Sequence, residues 1–471
     1  MWNRESARLK AKELVIQMTL EEKMSQLVYG APAIERLGIP AYNWWNEGLH
    51  GVARAGVSTN FPQAIALAAM FDRELLGQVS ETTALEGRAK YNAYSKLGDR
   101  DIYKGLTFFS PNINIFRDPR WGRGHETLGE DPYLAAELGK AFVIGMQGKG
   151  DVMLASACAK HYAVHSGPEA IRHHFNAVTN QKDLWETYLP AFEALVKDAN
   201  VESVMGAYNR TNGEPCCGSK TLLVDILRSK WGFAGFIVSD CWALIDFHTG
   251  HGVTSSPEES AALAMRCGLD LNCGSIFLQL KSAYDQGLIT EEQITLAAER
   301  VFTTRYLLGI LGEGSEYDQI PYETVECREH LALAQETALK SCVLLKNNGI
   351  LPLNKRKIKT LGVIGPNADS HIALMGNYHG TSSRYITVLE GLQDECGDDV
   401  RVLYAAGCDI FRRKTENLAF DNDRVAEAVT VAEHSDTVVL VLGLDELLEG
   451  EAPDDGNSME AGDKPDLMSP A

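Results

Sequence analysis

The stretch Gly235-Phe236-Ile237-Val238-Ser239-Asp240-Cys241-Trp242 decides how the chain is read. Its apolar, β-branched run stops abruptly at Ser-Asp. This is the pattern of a buried strand that delivers one carboxylate to the end of a sheet. In a parallel α/β barrel that end faces the active site. The plainer reading is that Asp240 caps the helix that follows. Both readings stand on this stretch alone.

The rest of the chain supplies the context. Its 471 residues suggest two or three domains. A hydrophobic content of 45% with 23% charged residues is that of a globular protein. The net charge of −20 argues against nucleic acid and anionic membrane surfaces, which call for basic patches. A neutral sugar would not be opposed. Met1-Trp2-Asn3-Arg4-Glu5 leads into a charged amphipathic stretch without an apolar core, so no signal peptide is expected. No run reaches the roughly 18 apolar residues of a membrane span. The ten cysteines are scattered, and reduced, mostly buried thiols in a cytoplasmic protein are expected.

Up to residue 312, strand-like runs alternate with punctuated helices. Thr19 with Glu22 and Ser256 with Glu259 read as capping boxes, and Asp183 with Glu186 and Thr290 with Gln293 as further helix starts. Candidate strands lie around 105–115, 152–159, 202–208 and 234–239. This alternation suits an α/β fold of the (β/α)8 TIM-like barrel type over residues 1–312. Residues 313–329, polar and Gly-rich, read as a linker. Residues 330–471 hold a helix and two short apolar strands, Thr360-Leu361-Gly362-Val363-Ile364 and Thr437-Val438-Val439-Leu440-Val441-Leu442. They imply a second, incomplete α/β sandwich with an open, mostly parallel sheet. The last 20 residues carry no packing pattern.

Several polar groups close candidate strands. The loop Arg117-Asp118-Pro119-Arg120-Trp121-Gly122-Arg123 combines forked donors with an aromatic face, a mixture suited to sugar recognition. Its plainer reading is an ion-pair loop, with Asp118 on Arg117 or Arg120. Lys160-His161 follows the run 152–159 directly, and Tyr208 closes a third strand. His161 and His165 have zinc-like spacing but lack the glutamate and third ligand of such a motif, so no metal is expected.

Together these motifs resemble glycoside hydrolase family 3, the retaining β-glucosidases and β-xylosidases. The matching segments are Trp44-Trp45-Asn46-Glu47-Gly48-Leu49-His50-Gly51, the Arg120-Trp121-Gly122-Arg123 loop, Ala159-Lys160-His161-Tyr162, Gly206-Ala207-Tyr208-Asn209, Val238-Ser239-Asp240 and Val343-Leu344-Leu345-Lys346-Asn347. They appear in family order along essentially the entire chain. The resemblance implies that Asp240 is the nucleophile. Glu47, Arg123, Lys160, His161, Tyr208 and Trp242 would bind the sugar, with Tyr208 beside the nucleophile. The acid/base would come from a second-domain loop: Glu451, with Glu449 next and Glu446 distant. A solvated acidic loop is the alternative there. Asp240 should stay ionised beside Lys160 or an arginine.

Glu47 stands in the tryptophan-rich motif of the xylosidase branch, and Cys241 after the nucleophile points the same way. A glutamate reaching toward the space of a glucose hydroxymethyl should favour pentoses, with residual glucosidase activity. The expectation is an exo-acting β-xylosidase or β-glucosidase of oligosaccharides or aryl glycosides, without cofactor and of unknown oligomeric state. The resemblance also implies a chain cut short of typical members. The rival expectation is therefore a catalytically impaired sugar-binding fragment whose acid/base loop is unanchored.

Overall fold

The computed structural model describes residues 2–312 and 314–451. Its centre is the strand Phe236–Ser239, buried at every position. It runs parallel to Ser203–Gly206, with Ile237 opposite Val204 and Ser239 opposite Gly206. That strand in turn runs parallel to Cys158–Tyr162. Gly235 begins the quoted stretch because a Cβ there would lie 1.9 Å from the Glu202 carbonyl oxygen. Single parallel bridges carry the ladder around a ring, through Val238 to Leu271, Val28 to Asn272, Asn46 to Phe108, and Thr107 to Ser156. The step between residues 28 and 46 is made by a short antiparallel pair, Gly30–Ala31 with Tyr42–Asn43. The result is a TIM-like barrel whose strands, covered on both faces, need continuous apolar runs.

Helices pack around the ring, and three of the four expected starts hold. Thr19 and Glu22 form a reciprocal capping box, as do Thr290 and Gln293. Ser256 accepts from the Glu259 amide at 3.2 Å, but the Glu259 carboxylate turns to the Ser255 amide instead. The start expected at Asp183 lies three residues earlier. Asn180 takes the capping position and accepts from the Asp183 amide at 2.9 Å. The strand expected at 152–159 is displaced to Cys158–Tyr162, so Lys160 and His161 lie within it rather than beyond its end.

The segment expected as a linker is pinned to the barrel. Asn92, on the helix Arg73–Lys96, donates to the carbonyls of Tyr317 (2.9 Å) and Ile320 (3.2 Å), and the Arg88 guanidinium lies over the Tyr317 ring. Polar composition reads as a linker, and buried side chains of the barrel hold it. Position 313 lies outside the described residues.

The helix Arg328–Ser341 then packs on the barrel, and its His330 meets buried Glu86 at 2.9 Å. Beyond it, Val343, Leu344 and Leu345 are exposed, Leu345 at 91%. The second domain is an open parallel sheet with Thr360–Ile364 between Arg401–Ala405 and Thr437–Leu440. Helices Val388–Cys396 and Val425–Glu433 make the crossovers. Leu361 and Val363 pack with Leu389, Cys396 and Val400, whereas Val438 and Leu440 face outward. The polar tail, 452–471, lies outside the described residues.

Among the described residues no helix is long and apolar enough to cross a membrane. The expectation of reduced thiols is corrected at one place: Cys241 and Cys273 form a disulfide. Two strand ends adjacent in the barrel bring together residues 32 apart in sequence.

Candidate active site

Asp240 continues the ladder one step past its strand, its amide donating to the Gly206 carbonyl at 3.1 Å. Ser239 beside it is buried, and its hydroxyl accepts from Asn272 and from the Cys273 amide, both at 3.0 Å. Ser-Asp therefore ties the strand to its neighbour and leaves the carboxylate beyond it. Asp240 Oδ1 accepts from the Cys241 amide at 2.9 Å, while Oδ2 has no hydrogen-bond partner among the described residues. The next helix, Asp246–Thr249, starts six residues later without a side-chain cap, so Asp240 is not its capping residue. Trp242 adopts φ +66°, and its amide donates to the Cys273 carbonyl at 2.7 Å. At Gly274, with φ +146°, a Cβ would come within 3.3 Å of the Trp242 backbone. Glycine is what lets this turn close beside Asp240.

Lys160 and Glu47 are both buried and meet at 3.0 Å. His161 Nε2 lies 3.6 Å from Asp240 Oδ2. The other ring nitrogen of His161 and its amide both donate to Asn114 Oδ1, at 2.9 and 2.8 Å. Donation from Nδ1 leaves Nε2 as the unprotonated nitrogen of a neutral ring. Burial, reinforced by Arg123, pushes His161 well below the ordinary histidine range. No group of three or more His, Cys, Asp or Glu side chains among the described residues could hold a metal ion.

The surface part of the arginine loop is the ion-pair loop of the plainer reading. Arg120 pairs with Asp118 at the surface, and Arg117 donates to Ser166. Arg123 is buried and forked onto Glu126, with distances of 3.1 and 2.8 Å. Its Nη1 reaches Glu451 Oε1 at 3.2 Å as an ion-pair contact outside hydrogen-bond geometry. Arg172 Nη1 donates to the same oxygen at 2.7 Å, and the Tyr378 hydroxyl donates to Oε2 at 2.8 Å. The loop expected to carry the acid/base, and to be unanchored if the sandwich were incomplete, thus has Glu451 held by three side chains. Arg172 is braced by Glu169 at 2.6 Å, which accepts from the Trp121 indole. Its guanidinium lies 4.4 Å from the ring centroid of Tyr208. Glu449 instead lines a cavity of about 460 Å³ with Asp445 and His125, and Glu446 lies 3.7 Å from His379. Trp242 stands half-buried at one end of an edge-to-face series through Tyr29 and Trp45 to Tyr103.

The electrostatics correct one expectation. Asp240 is pushed up to about 7, first by burial and then by the like charge of Glu451, which together outweigh Arg123, Arg172 and Lys160. Burial also lifts Glu47 to about 7 against the pull of Lys160. Burial would raise Glu451 as well, but Arg123, Arg172 and the Tyr378 hydroxyl hold it well below the usual carboxylate range. The arginines that should keep Asp240 ionised meet Glu451, and Lys160 meets Glu47.

Asp240, Glu451, Arg123, Lys160, His161, Glu47 and Tyr208 therefore converge on one end of the barrel. Sequence reasoning did not single out Arg172, Glu126, Glu169 or Tyr378. Glu126 and Glu169 sit near motifs that were quoted. Tyr378, in Gly376-Asn377-Tyr378-His379-Gly380, offers only a glycine-flanked polar turn as a signal.

Barrel, second domain and converging carboxylates define an α/β fold of the carbohydrate-active kind. Residues 11–304 match the Glycosyl hydrolase family 3 N terminal domain, and residues 342–469 match the Glycosyl hydrolase family 3 C-terminal domain. The chain belongs to glycoside hydrolase family 3. It is 42% identical to a xylan 1,4-beta-xylosidase of Xylanibacter ruminicola over 87% of this chain and 48% of that one. It is 39% identical to the probable beta-D-xylosidase 7 of Arabidopsis thaliana over 94% and 59%. It thus spans roughly half to three-fifths of these relatives. Among solved structures, a GH3 exo-beta-xylosidase in complex with a xylobiose aziridine probe superposes with TM-score 0.87 at 31% identity, covering 94% of this chain and 58% of that one. A beta-glucosidase from Listeria innocua in complex with glucose gives 0.78 at 28% identity, covering 94% and 65%.

Proposed function

We propose that this chain carries the catalytic site of a retaining exo-β-glycosidase that releases non-reducing terminal β-D-xylosyl residues from oligosaccharides, with β-D-glucosyl residues as poorer substrates. The observation that carries the reading is the convergence of Asp240, on a rigid strand end, with Glu451, reaching in from the second domain onto Arg123 and Arg172. The names of the relatives support xylose as the sugar.

In this mechanism Asp240 Oδ2 attacks the anomeric carbon, and the bond to the leaving oxygen breaks as Glu451 passes its proton to that oxygen. Water then attacks the same carbon, Glu451 takes its proton, and the bond to Asp240 breaks. Lys160, Arg123 and the neutral His161 face the sugar hydroxyls, Tyr208 lies against Arg172, and Trp242 forms one wall. Productive chemistry needs the proton on Glu451 and the charge on Asp240. The resting cluster favours the reverse, so the pair works as a coupled unit sharing one proton.

We take residues 1–312 as the barrel, 313–329 as a strap and 330–471 as the part of the sandwich that supplies the acid/base. A sugar-binding fragment is the second reading, favoured by the outward-facing Leu345, Val438 and Leu440. The Cys241–Cys273 bridge favours an oxidising compartment over the cytoplasm.

Initial rates on aryl β-xyloside, aryl β-glucoside and xylobiose test the proposal, with Asp240→Ala as control. Turnover of the xylosides, lost on the order of 10⁴-fold in Asp240→Ala, is expected. No turnover by the unaltered chain leaves the sugar-binding reading. Turnover that survives in Asp240→Ala removes Asp240 as nucleophile.

A further inference from the structure

The segment that carries Tyr378 belongs to the second domain yet is sewn into the barrel. The amides of Arg54 and Ser58 donate to the carbonyls of His379 and Thr381, both at 3.0 Å, and the Thr381 amide donates to Gly56 at 2.9 Å. Asn60 accepts from the Gly380 amide at 2.9 Å, and Asn377 donates to Glu126 at 3.0 Å. Within this frame Tyr378 adopts φ +57°, a conformation that costs a non-glycine residue about 1 kcal/mol and persists only when its surroundings impose it. Its ring lies between two cations, Lys160 Nζ at 4.8 Å and the Arg54 guanidinium at 5.1 Å. Ring and backbone are fixed, so the hydroxyl is fixed too.

That hydroxyl divides the two oxygens of Glu451. Oε1 is committed to Arg172 and Arg123, both permanent cations that leave no room for a proton there. Among the described residues Oε2 receives only a neutral donor, Tyr378. A phenol can still donate to an oxygen that carries a proton, because that oxygen keeps a lone pair. The geometry points to Tyr378 as the positioning residue that makes Oε2 the proton-bearing oxygen of Glu451 and aims it at the leaving group. The inference rests on the reading of Glu451 as acid/base. It adds that the barrel–second-domain seam, through Tyr378, sets the direction of proton delivery.

Tyr378→Phe keeps the ring between its cations and removes only the hydroxyl. The test is kcat/KM, which reports the glycosylation step, across β-xylosides of graded leaving-group acidity, from dinitrophenyl xyloside to xylobiose. General acid catalysis contributes about 10²–10⁴-fold and matters only when the leaving group is poor. Tyr378→Phe should therefore lose about tenfold or more on xylobiose and less than about threefold on dinitrophenyl xyloside. Glu451→Gln should show the same split, larger. Equal losses on every substrate, or a variant that fails to fold, would assign Tyr378 to packing and overturn the inference. A split in Glu451→Gln without one in Tyr378→Phe overturns the inference alone. No split in Glu451→Gln overturns the acid/base reading beneath it.

Discussion

Lys160 Nζ lies 3.0 Å from Glu47 Oε2, and both side chains are buried. The lysine expected as a free cation for Asp240 is thus shared with a second carboxylate, which comes from a strand end two steps away around the barrel ring.

This pairing fixes how far Glu47 reaches into the sugar site. Glu47→Asp withdraws the carboxylate by one methylene and opens space beside the sugar. The ratio of aryl β-glucoside to aryl β-xyloside kcat/KM should rise about tenfold, the scale of methylene-size discrimination. A ratio that stays constant while both rates fall would remove Glu47 from substrate selection.

The Asp240–Glu451 pair sets the pH dependence. With Asp240 near 7, kcat/KM of the unaltered chain should fall as pH rises through about 7, where the pair loses its one shared proton. In Glu451→Gln the sign reverses on an activated aryl xyloside. No acid is needed, so the alkaline fall disappears. An acid limb replaces it below 7, because the like charge that raised Asp240 is gone. An alkaline limb that persists unchanged in Glu451→Gln would disconnect the two carboxylates.

Glu86 anchors the helix Arg328–Ser341 to the barrel. Its carboxylate accepts from Thr59, from the Glu326 amide and from His330. Glu86→Ala strands these buried donors and should cost about 3–5 kcal/mol, read from denaturant unfolding. Burial would raise this carboxyl, but His330 and Thr59 hold it below its ordinary value. Its contribution is therefore present above the usual glutamate range and is lost as pH falls through the lowered value.

The Cys241–Cys273 bridge predicts a thiol count. The denatured, unreduced chain should titrate eight thiols, and the reduced chain all ten. Closing a 32-residue separation should stabilise the fold by about 3–4 kcal/mol in the chain-entropy picture, seen as a lower melting temperature of Cys273→Ser. Ten thiols without reductant would show the bridge to be absent.

Much of the barrel was legible because its signals are local. Thr19 and Thr290 announce helix starts through hydrogen bonds three residues long. The buried run ending at Asp240 announces a strand because both faces of a parallel strand are covered. Boundaries failed where two local choices competed, as when Asn180 took the cap from Asp183. The contacts that hold the segment 313–329 were not legible, because polar composition says nothing of the partners that Asn92 and Arg88 supply from a distant helix.

By itself the sequence determined the identity of the strand-end groups, since which residue ends a strand is a one-dimensional fact. Asp240 and Tyr208 could be named that way, and Glu47 through the resemblance of its motif. Only the tertiary structure decided how those groups share charge. Arg172 and Tyr378 come to Glu451 from separations of 279 and 73 residues, and Lys160 comes to Glu47 from 113. A carboxyl's proton affinity depends on burial and on charges within a few ångströms. Those distances exist only once the barrel and the second domain are packed together.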